Sequence, residues 1–186
     1  MKIIEKAIEA SALAHDGQYR KQSSLPYLSH PVTVGFYLIE SGSPEEVIAA
    51  GILHDVIEDT ALNFDDLKAG FGEKIATLVL ECSEPDKSLE WEKRKQHTVN
   101  ELRTASFSVK QIVCADKLHN LTTIQNDYER EGSLVWERFN RGVEKQRWYY
   151  QSVYRSLMMN LSDEEKNFPL FVKLNETIHK VFPNKV

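Results

Sequence analysis

"GILHDVIEDT", residues 51–60, sets four titratable residues among apolar ones: His54, Asp55, Glu58 and Asp59 are interspersed with Ile52, Leu53, Val56 and Ile57. Read as a helix at about 100° per residue, with His54 at the origin, Glu58 falls near 40°, Asp55 near 100° and Asp59 near 140°. The four aliphatic residues then occupy the other side of the wheel, from about 160° to 300°. The spacing predicts a helix with one apolar arc and one arc of acids and imidazole. A surface helix could carry that pattern, but Asp55 and Asp59 at i,i+4 repel each other. Three acids beside one histidine call for a cation, either a basic partner or a metal.

A metal needs ligands from more than one segment. "PYLSHP" places His30 at the start of a second helix, from which an imidazole can reach a neighbour; a solvent-exposed loop histidine is the plain alternative. "VCADKLHNLTT" places Asp116, Asn120 and Thr123 on one stripe of a helix whose Ile112, Val113, Ala115, Leu118 and Leu121 read as buried. An acid embedded in such a helix is costly unless it is paired or metal-bound. Pairing with Lys117 or His119 is poor, because close sequence neighbours on a helix point elsewhere. His30, His54, Asp55 and Asp116 thus form a set of two imidazoles and two carboxylates without thiolate. Such donors suit Mn²⁺, Fe²⁺ or Mg²⁺ with open positions better than a closed structural zinc site. Because imidazoles must be neutral to ligate, affinity should fall below about pH 6.

"GQYRKQSSLPY" adds Arg20 and Lys21 in a loop shortly before His30. Adjacent basic residues can hold phosphate, arginine as a bidentate fork and lysine as a point charge; an isolated pair can equally be a solvated loop. Arg94-Lys95, Arg141 and Lys145 put further positive charge on helices, either as ordinary surface or, for Lys95 and Arg141, as substrate contacts.

Composition bounds the rest. The chain has 186 residues and a net charge of −5, which argues against general nucleic-acid affinity. Cys82 and Cys114 form no CxxC pair, so reduced thiols in a cytoplasmic protein are expected. The N-terminus carries Glu5 and Glu9 within its first helix, so no signal peptide is expected, and no stretch approaches the length of a membrane span. The period is helical throughout. Helices are expected from the N-terminus to a stop near His15-Asp16-Gly17, from His30-Pro31 to Ser41-Gly42, from Ser43 as N-cap with Pro44-Glu45-Glu46 as first turn through the opening stretch, and at 64–70, 72–82, 89–104, 108–128, 133–158 and 163–181, with a turn at Ser83-Glu84-Pro85-Asp86. No strand-period segment bounded by hairpin turns and no internal repeat is present. The fold class is all-α, in one domain.

The ordered motifs "AHDGQYRK…PYLSHP", "GILHDVIEDT", "FGEKIATLV" and "ADKLHNLTT" resemble the HD-domain phosphohydrolases. Within them they look like the hydrolase domain of the RelA/SpoT enzymes and its small free-standing forms. The resemblance runs from about residue 3 to 128, with "VWERFNRGVEKQRWYY" similar to the C-terminal part of stand-alone bacterial members. It implies a multi-helix HD fold over 1–186, with 1–130 carrying the metal and nucleotide site and 131–186 as C-terminal helices. It also implies a Mn²⁺ ion and removal of the 3′-pyrophosphate from guanosine tetra- or pentaphosphate. Carried over, His30, His54, Asp55 and Asp116 are the metal ligands, and Glu58 and Asp59 handle the attacking water. Arg20, Lys21, Asn120 and Thr123 contact the nucleotide. No synthetase segment is expected within these residues.

Two features depart from the pattern. The loop between Lys21 and Pro26 reads Gln-Ser-Ser-Leu, one residue longer than in the long bifunctional enzymes, and Thr122 stands where arginine is common. Both lie on the nucleotide side, so they leave hydrolysis in place and base specificity open. The alternatives are an HD nucleotide phosphatase acting on a nucleoside monophosphate or the 2′-phosphate of NADPH, and a helical regulatory module without turnover. The expected partner is a small-molecule nucleotide, with no nucleic acid and no membrane; the oligomeric state is not legible.

Overall fold

In a computed structural model of the chain, residues 2–21, 23–84 and 88–183 are described. Among them every named element is helical; the only strand-like pairing is an isolated antiparallel bridge between Tyr19 and Pro26. The chain forms two compact units, Met1–Pro85 with Ser108–Asp116, and Asp86–Phe107 with Lys117–Val186.

The first unit holds α1 (Lys2–Ala14), α2 (Ser29–Glu40), α3 (Glu45–Leu53), α4 (Val56–Asp59), α5 (Phe64–Phe71) and α6 (Glu73–Cys82), with the first turns of α8 (Phe107–Glu131). Helix α3 packs against α1, α2 and α6, and every residue from Val47 to Leu53 is buried. Its sequence explains this, because no side chain between Val47 and Leu53 is polar. Glycines permit the close approach. A Cβ on Gly51 would come within 2.3 Å of Leu38 Cδ1, and one on Gly35 within 2.6 Å of Ile52 Cγ1.

The continuous amphipathic helix expected over the opening stretch is not formed. Helix α3 ends at Leu53, and α4 is a separate single turn, with Asp55 at φ −97°, ψ −6° between them. The apolar run from Val47 to Leu53 is packed against other helices, so beyond Glu45 and Glu46 α3 has no exposed polar arc, and His54 and Asp55 gather at its end instead. The proposed serine cap also fails: Pro44, extended at φ −60°, ψ 152°, occupies the N-cap without a side-chain cap. Helix α5 does carry a capping box, with the Asn63 side chain accepting from Asp65 and Asp66 N–H and the Asp66 carboxylate from Asn63 N–H.

The second unit contains α7 (Trp91–Glu101), the rest of α8, a 3₁₀ helix (Gly132–Arg138), α9 (Gly142–Leu157), α10 (Asp163–Lys166) and α11 (Pro169–Val181). Helix α9 packs against α7 and α11. The single helix expected at 133–158 is interrupted where Gly142 adopts φ +67°, and the one at 163–181 where Phe168 is extended before Pro169. Arg138 pairs with Asp127 at 2.9 Å and also with Glu131, tying the 3₁₀ helix to the end of α8. The expected turn at Ser83–Asp86 lies partly outside the described residues, as does Gln22 of the loop before His30. No disulfide joins Cys82 and Cys114, and no helix among the described residues is long and apolar enough to cross a membrane.

Candidate metal centre

Three helix ends and one helix interior in the first unit bring the expected ligands together. His30 lies in the first turn of α2, His54 caps α3, Asp55 precedes α4, and Asp116 projects from α8. His30 and His54 are 1% and 5% exposed and Asp116 is 8% exposed, burial that polar groups accept only with partners. Ligand atoms of His30, His54 and Asp116 all lie within 4.8 Å of one another. His30 Nε2 is 3.2 Å from Asp116 Oδ1 and 3.6 Å from Asp55 Oδ2. His54 Nε2 is 3.0 Å from Asp55 Oδ2 and 3.9 Å from Asp116 Oδ1.

The His54 ring is fixed from its far side. His54 Nδ1–H donates to the Gly51 carbonyl at 2.8 Å, which orients the ring and turns Nε2 to the acids. That Nε2 is close enough to Asp55 for charge pairing but has no aligned hydrogen-bond partner, so a buried donor position is left for a cation. The donor set, two imidazole nitrogens and carboxylate oxygens at converging positions, fits a divalent ion.

Electrostatics without the ion follow the same geometry. Burial opposes charge on His54, but the Asp55 carboxylate overcomes it and the imidazole is pushed up to about 9. Burial would raise Asp55, yet the His54 imidazolium holds its carboxyl well below the usual carboxylate range. Burial lowers His30, against the opposing pull of Asp116.

Glu58 and Asp59 both lie on α4. Glu58 Oε2 accepts from Glu84 N–H at 3.2 Å. Asp59 Oδ2 is 3.5 Å from the Tyr27 hydroxyl, the same hydroxyl that donates to Asp55 Oδ2 at 2.6 Å. The one-turn helix therefore sets Asp59 toward Asp55. Arg20 N–H donates to the Leu25 carbonyl, and its guanidinium lies 5.8 Å from the Tyr27 ring centre; Lys21 is exposed.

The remaining substrate candidates belong to the second unit. Asn120 and Thr123 follow Asp116 on α8, with the Thr123 hydroxyl donating to the His119 carbonyl at 3.0 Å. Lys95 Nζ sits 5.1 Å over the Tyr149 ring, and Arg141, at the N-cap of α9, pairs with Glu92 at 3.3 Å.

Sequence reasoning missed three residues around this centre. Tyr27 bridges two acids; His15, 3% exposed, packs its ring tilted against Tyr27 with centres 4.8 Å apart and contacts Gln18 Oε1 through Nδ1 at 2.9 Å; Gln18 Nε2 donates to the Asp59 carbonyl at 2.8 Å. The signal was present in "AHDGQ" and "PYLSHP", where polar side chains flank a helix end and a helix start, but His15-Asp16-Gly17 read only as a helix stop.

A helical fold that gathers buried imidazoles and carboxylates at helix ends defines a helical domain with a candidate metal centre. The family described as HD domain matches residues 7–142, and the chain belongs to the HD-domain family. It is 37% identical over 143 residues, 72% of this chain and 79% of the other, to guanosine-3′,5′-bis(diphosphate) 3′-pyrophosphohydrolase MESH1 of Drosophila melanogaster. It is similar in structure to a metazoan ortholog of SpoT that hydrolyzes ppGpp and plays a role in starvation responses, with a TM-score of 0.77, 28% identity, and coverage of 97% of this chain and 96% of that one. It is also 35% identical over 125 residues, 66% of this chain, to a GTP pyrophosphokinase of Streptomyces coelicolor, of whose length it spans 15%.

Proposed function

We propose that this chain is a divalent-metal-dependent hydrolase that removes the 3′-pyrophosphate from guanosine tetra- or pentaphosphate. The observation that carries it is the convergence of His30, His54 and Asp116 within 4.8 Å, in a chain 37% identical to a 3′-pyrophosphohydrolase. His30, His54, Asp55 and Asp116 hold the ion, and their mixed nitrogen and oxygen donors favour Mn²⁺, with Fe²⁺ or Mg²⁺ as substitutes. When bound, a divalent ion supplies Lewis-acid neutralisation of phosphoryl charge and makes water more acidic.

The chain's own residues do the rest. In the reaction water adds to the phosphorus attached to the ribose 3′-oxygen, the 3′-O–P bond breaks, the 3′-oxygen takes up a proton, and pyrophosphate leaves together with GDP from the tetraphosphate or GTP from the pentaphosphate. Glu58 accepts the proton of the attacking water on its carboxylate, and Asp59, set beside Asp55 through Tyr27, orients that water. Arg20 and Lys21 hold the negative charge of the pyrophosphoryl group as it passes from the ribose 3′-oxygen to water. Asn120, Thr123, Lys95 and Arg141 contact the nucleotide, Lys95 and Arg141 through its phosphates. The protein is placed in the cytoplasm with a small-molecule nucleotide partner, a reading supported by cysteines without CxxC spacing and by a net charge of −5, which opposes general nucleic-acid affinity.

The test is a screen of purified protein with Mn²⁺ against guanosine tetraphosphate, NADPH and nucleoside monophosphates, separating pyrophosphate from phosphate release. Pyrophosphate and GDP from the tetraphosphate are expected. Phosphate from NADPH or a monophosphate instead would assign a phosphatase, and no turnover at full metal loading would assign a regulatory module.

A further inference from the structure

The segment between α1 and α2 touches Asp55 and Asp59, at the two ends of α4, at separate points. Tyr27 donates its hydroxyl to Asp55 Oδ2 at 2.6 Å and lies 3.5 Å from Asp59 Oδ2. Gln18 Nε2 holds the Asp59 carbonyl at 2.8 Å. These two residues are themselves fixed. Tyr27 N–H donates to the Gln18 carbonyl at 2.9 Å, and both flank the bridge between Tyr19 and Pro26. The buried His15 braces both, its ring 4.8 Å from that of Tyr27 and its Nδ1 2.9 Å from Gln18 Oε1. Because Gln18 Nε2 donates to a carbonyl, its Oε1 faces His15 and accepts from Nδ1–H. The Tyr27 ring also stands edge-on to His30 at 5.9 Å.

Helix α4 needs such support. It has four residues, too few to hold two acids in register by its own hydrogen bonds. Asp59 on that turn and the ligand carboxylate of Asp55 just before it keep a fixed geometry best with an external anchor. A carboxylate beside a metal commonly takes its second hydrogen bond from such a neighbour, and losing that bond costs about 10–100-fold in metal affinity or activity.

We infer that Tyr27 and Gln18 form a positioning clamp, braced by His15, in which one hydroxyl couples the orientation of Asp55 to that of Asp59. The inference rests on the hydrolase reading for Asp59 but not for Asp55, whose contact with Tyr27 is independent of substrate. Tyr27 acts through the carboxylates and is not itself a reacting group. Gln18 reaches only the backbone of Asp59, so its contribution concerns turnover and not the ion.

Tyr27→Phe keeps the ring packing and removes the hydroxyl alone. Mn²⁺ binding to chelator-stripped protein, read from the free-ion electron paramagnetic resonance signal without substrate, should weaken about 10–100-fold. At saturating Mn²⁺, kcat for guanosine tetraphosphate should also fall with KM nearly unchanged, and it should fall less when Asp59→Asn is already present. Gln18→Ala should lower kcat while leaving Mn²⁺ affinity at the wild-type value, which a merely structural role would not separate. Wild-type Mn²⁺ affinity and kcat in both variants would overturn the clamp. If the wild type binds Mn²⁺ but leaves the tetraphosphate intact, the substrate reading fails, and the Mn²⁺ arm of Tyr27→Phe still decides the clamp. A wild type that binds no Mn²⁺ would overturn both.

Discussion

His54 Nε2 and Asp55 Oδ2, on consecutive residues at the junction of α3 and α4, lie 3.0 Å apart with both side chains almost wholly enclosed. Without an ion they form a buried imidazolium–carboxylate pair, His54 at about 9 and Asp55 well below the usual carboxylate range. An incoming cation must displace the His54 proton. Metal affinity should therefore rise about tenfold per pH unit up to about pH 9, a higher limit than the pH 6 expected for an ordinary histidine. Calorimetry in buffers of different ionisation enthalpy should show about one proton released per ion at pH 7.5. An affinity that is flat between pH 7 and 9 would contradict this.

The same pair sets the pH dependence of the metal-free fold. The folded His54 value lies above its ordinary 6.5, so its contribution is fully present below pH 6.5 and lost as the pH rises through about 9. Chelator-treated protein should thus melt at a lower temperature at pH 9 than at pH 6.5. Protein saturated with Mn²⁺ should lose that trend, because the ion takes over the charge of the proton.

Ligand and base should separate in metal content. His54→Ala removes a donor and should leave stripped protein unable to retain Mn²⁺, with activity lost as a consequence. Glu58→Ala should keep Mn²⁺ and the fold yet lower kcat by about 10²-fold or more, the scale of a general base. Metal analysis of both variants beside their turnover checks this; near-normal turnover in Glu58→Ala would remove it from the mechanism.

Arg20 lies over the Tyr27 ring, with its backbone held to Leu25. Arg20→Ala should lower kcat/KM for a 3′-pyrophosphorylated nucleotide by roughly 10–100-fold, the value of one charge-assisted contact, with metal content unchanged. Steady-state kinetics with metal analysis decides it, and unchanged kinetics would return the pair to a solvated loop.

Gly51 serves packing and the site together. Its carbonyl accepts from His54, and a Cβ there would meet Leu38 Cδ1 at 2.3 Å, a side chain with no exposure and little room to yield. Gly51→Ala should cost about 1–3 kcal/mol of stability, read from denaturant unfolding, and should weaken Mn²⁺ binding as α2 and α3 separate.

The helical class, most helix limits and the residues that converge at the centre were readable from local pattern. His54 and Asp55 adjoin, Asp116 is an acid in an apolar helix, and His30 opens a helix beside a proline; each is an anomaly that short-range periodicity exposes. Composition and spacing are enough for these because helix propensity and the cost of a buried charge are local properties. The break between α3 and α4, the turn at Gly142 and the roles of Tyr27 and Gln18 are not local. They depend on which helices surround α3, on how closely Gly51 and Gly35 let them approach, and on a loop folding back so that residues 28 and 41 positions apart share hydrogen bonds. Such long-range contacts leave no period in the chain, and packing in three dimensions makes the choice among the side chains that could meet.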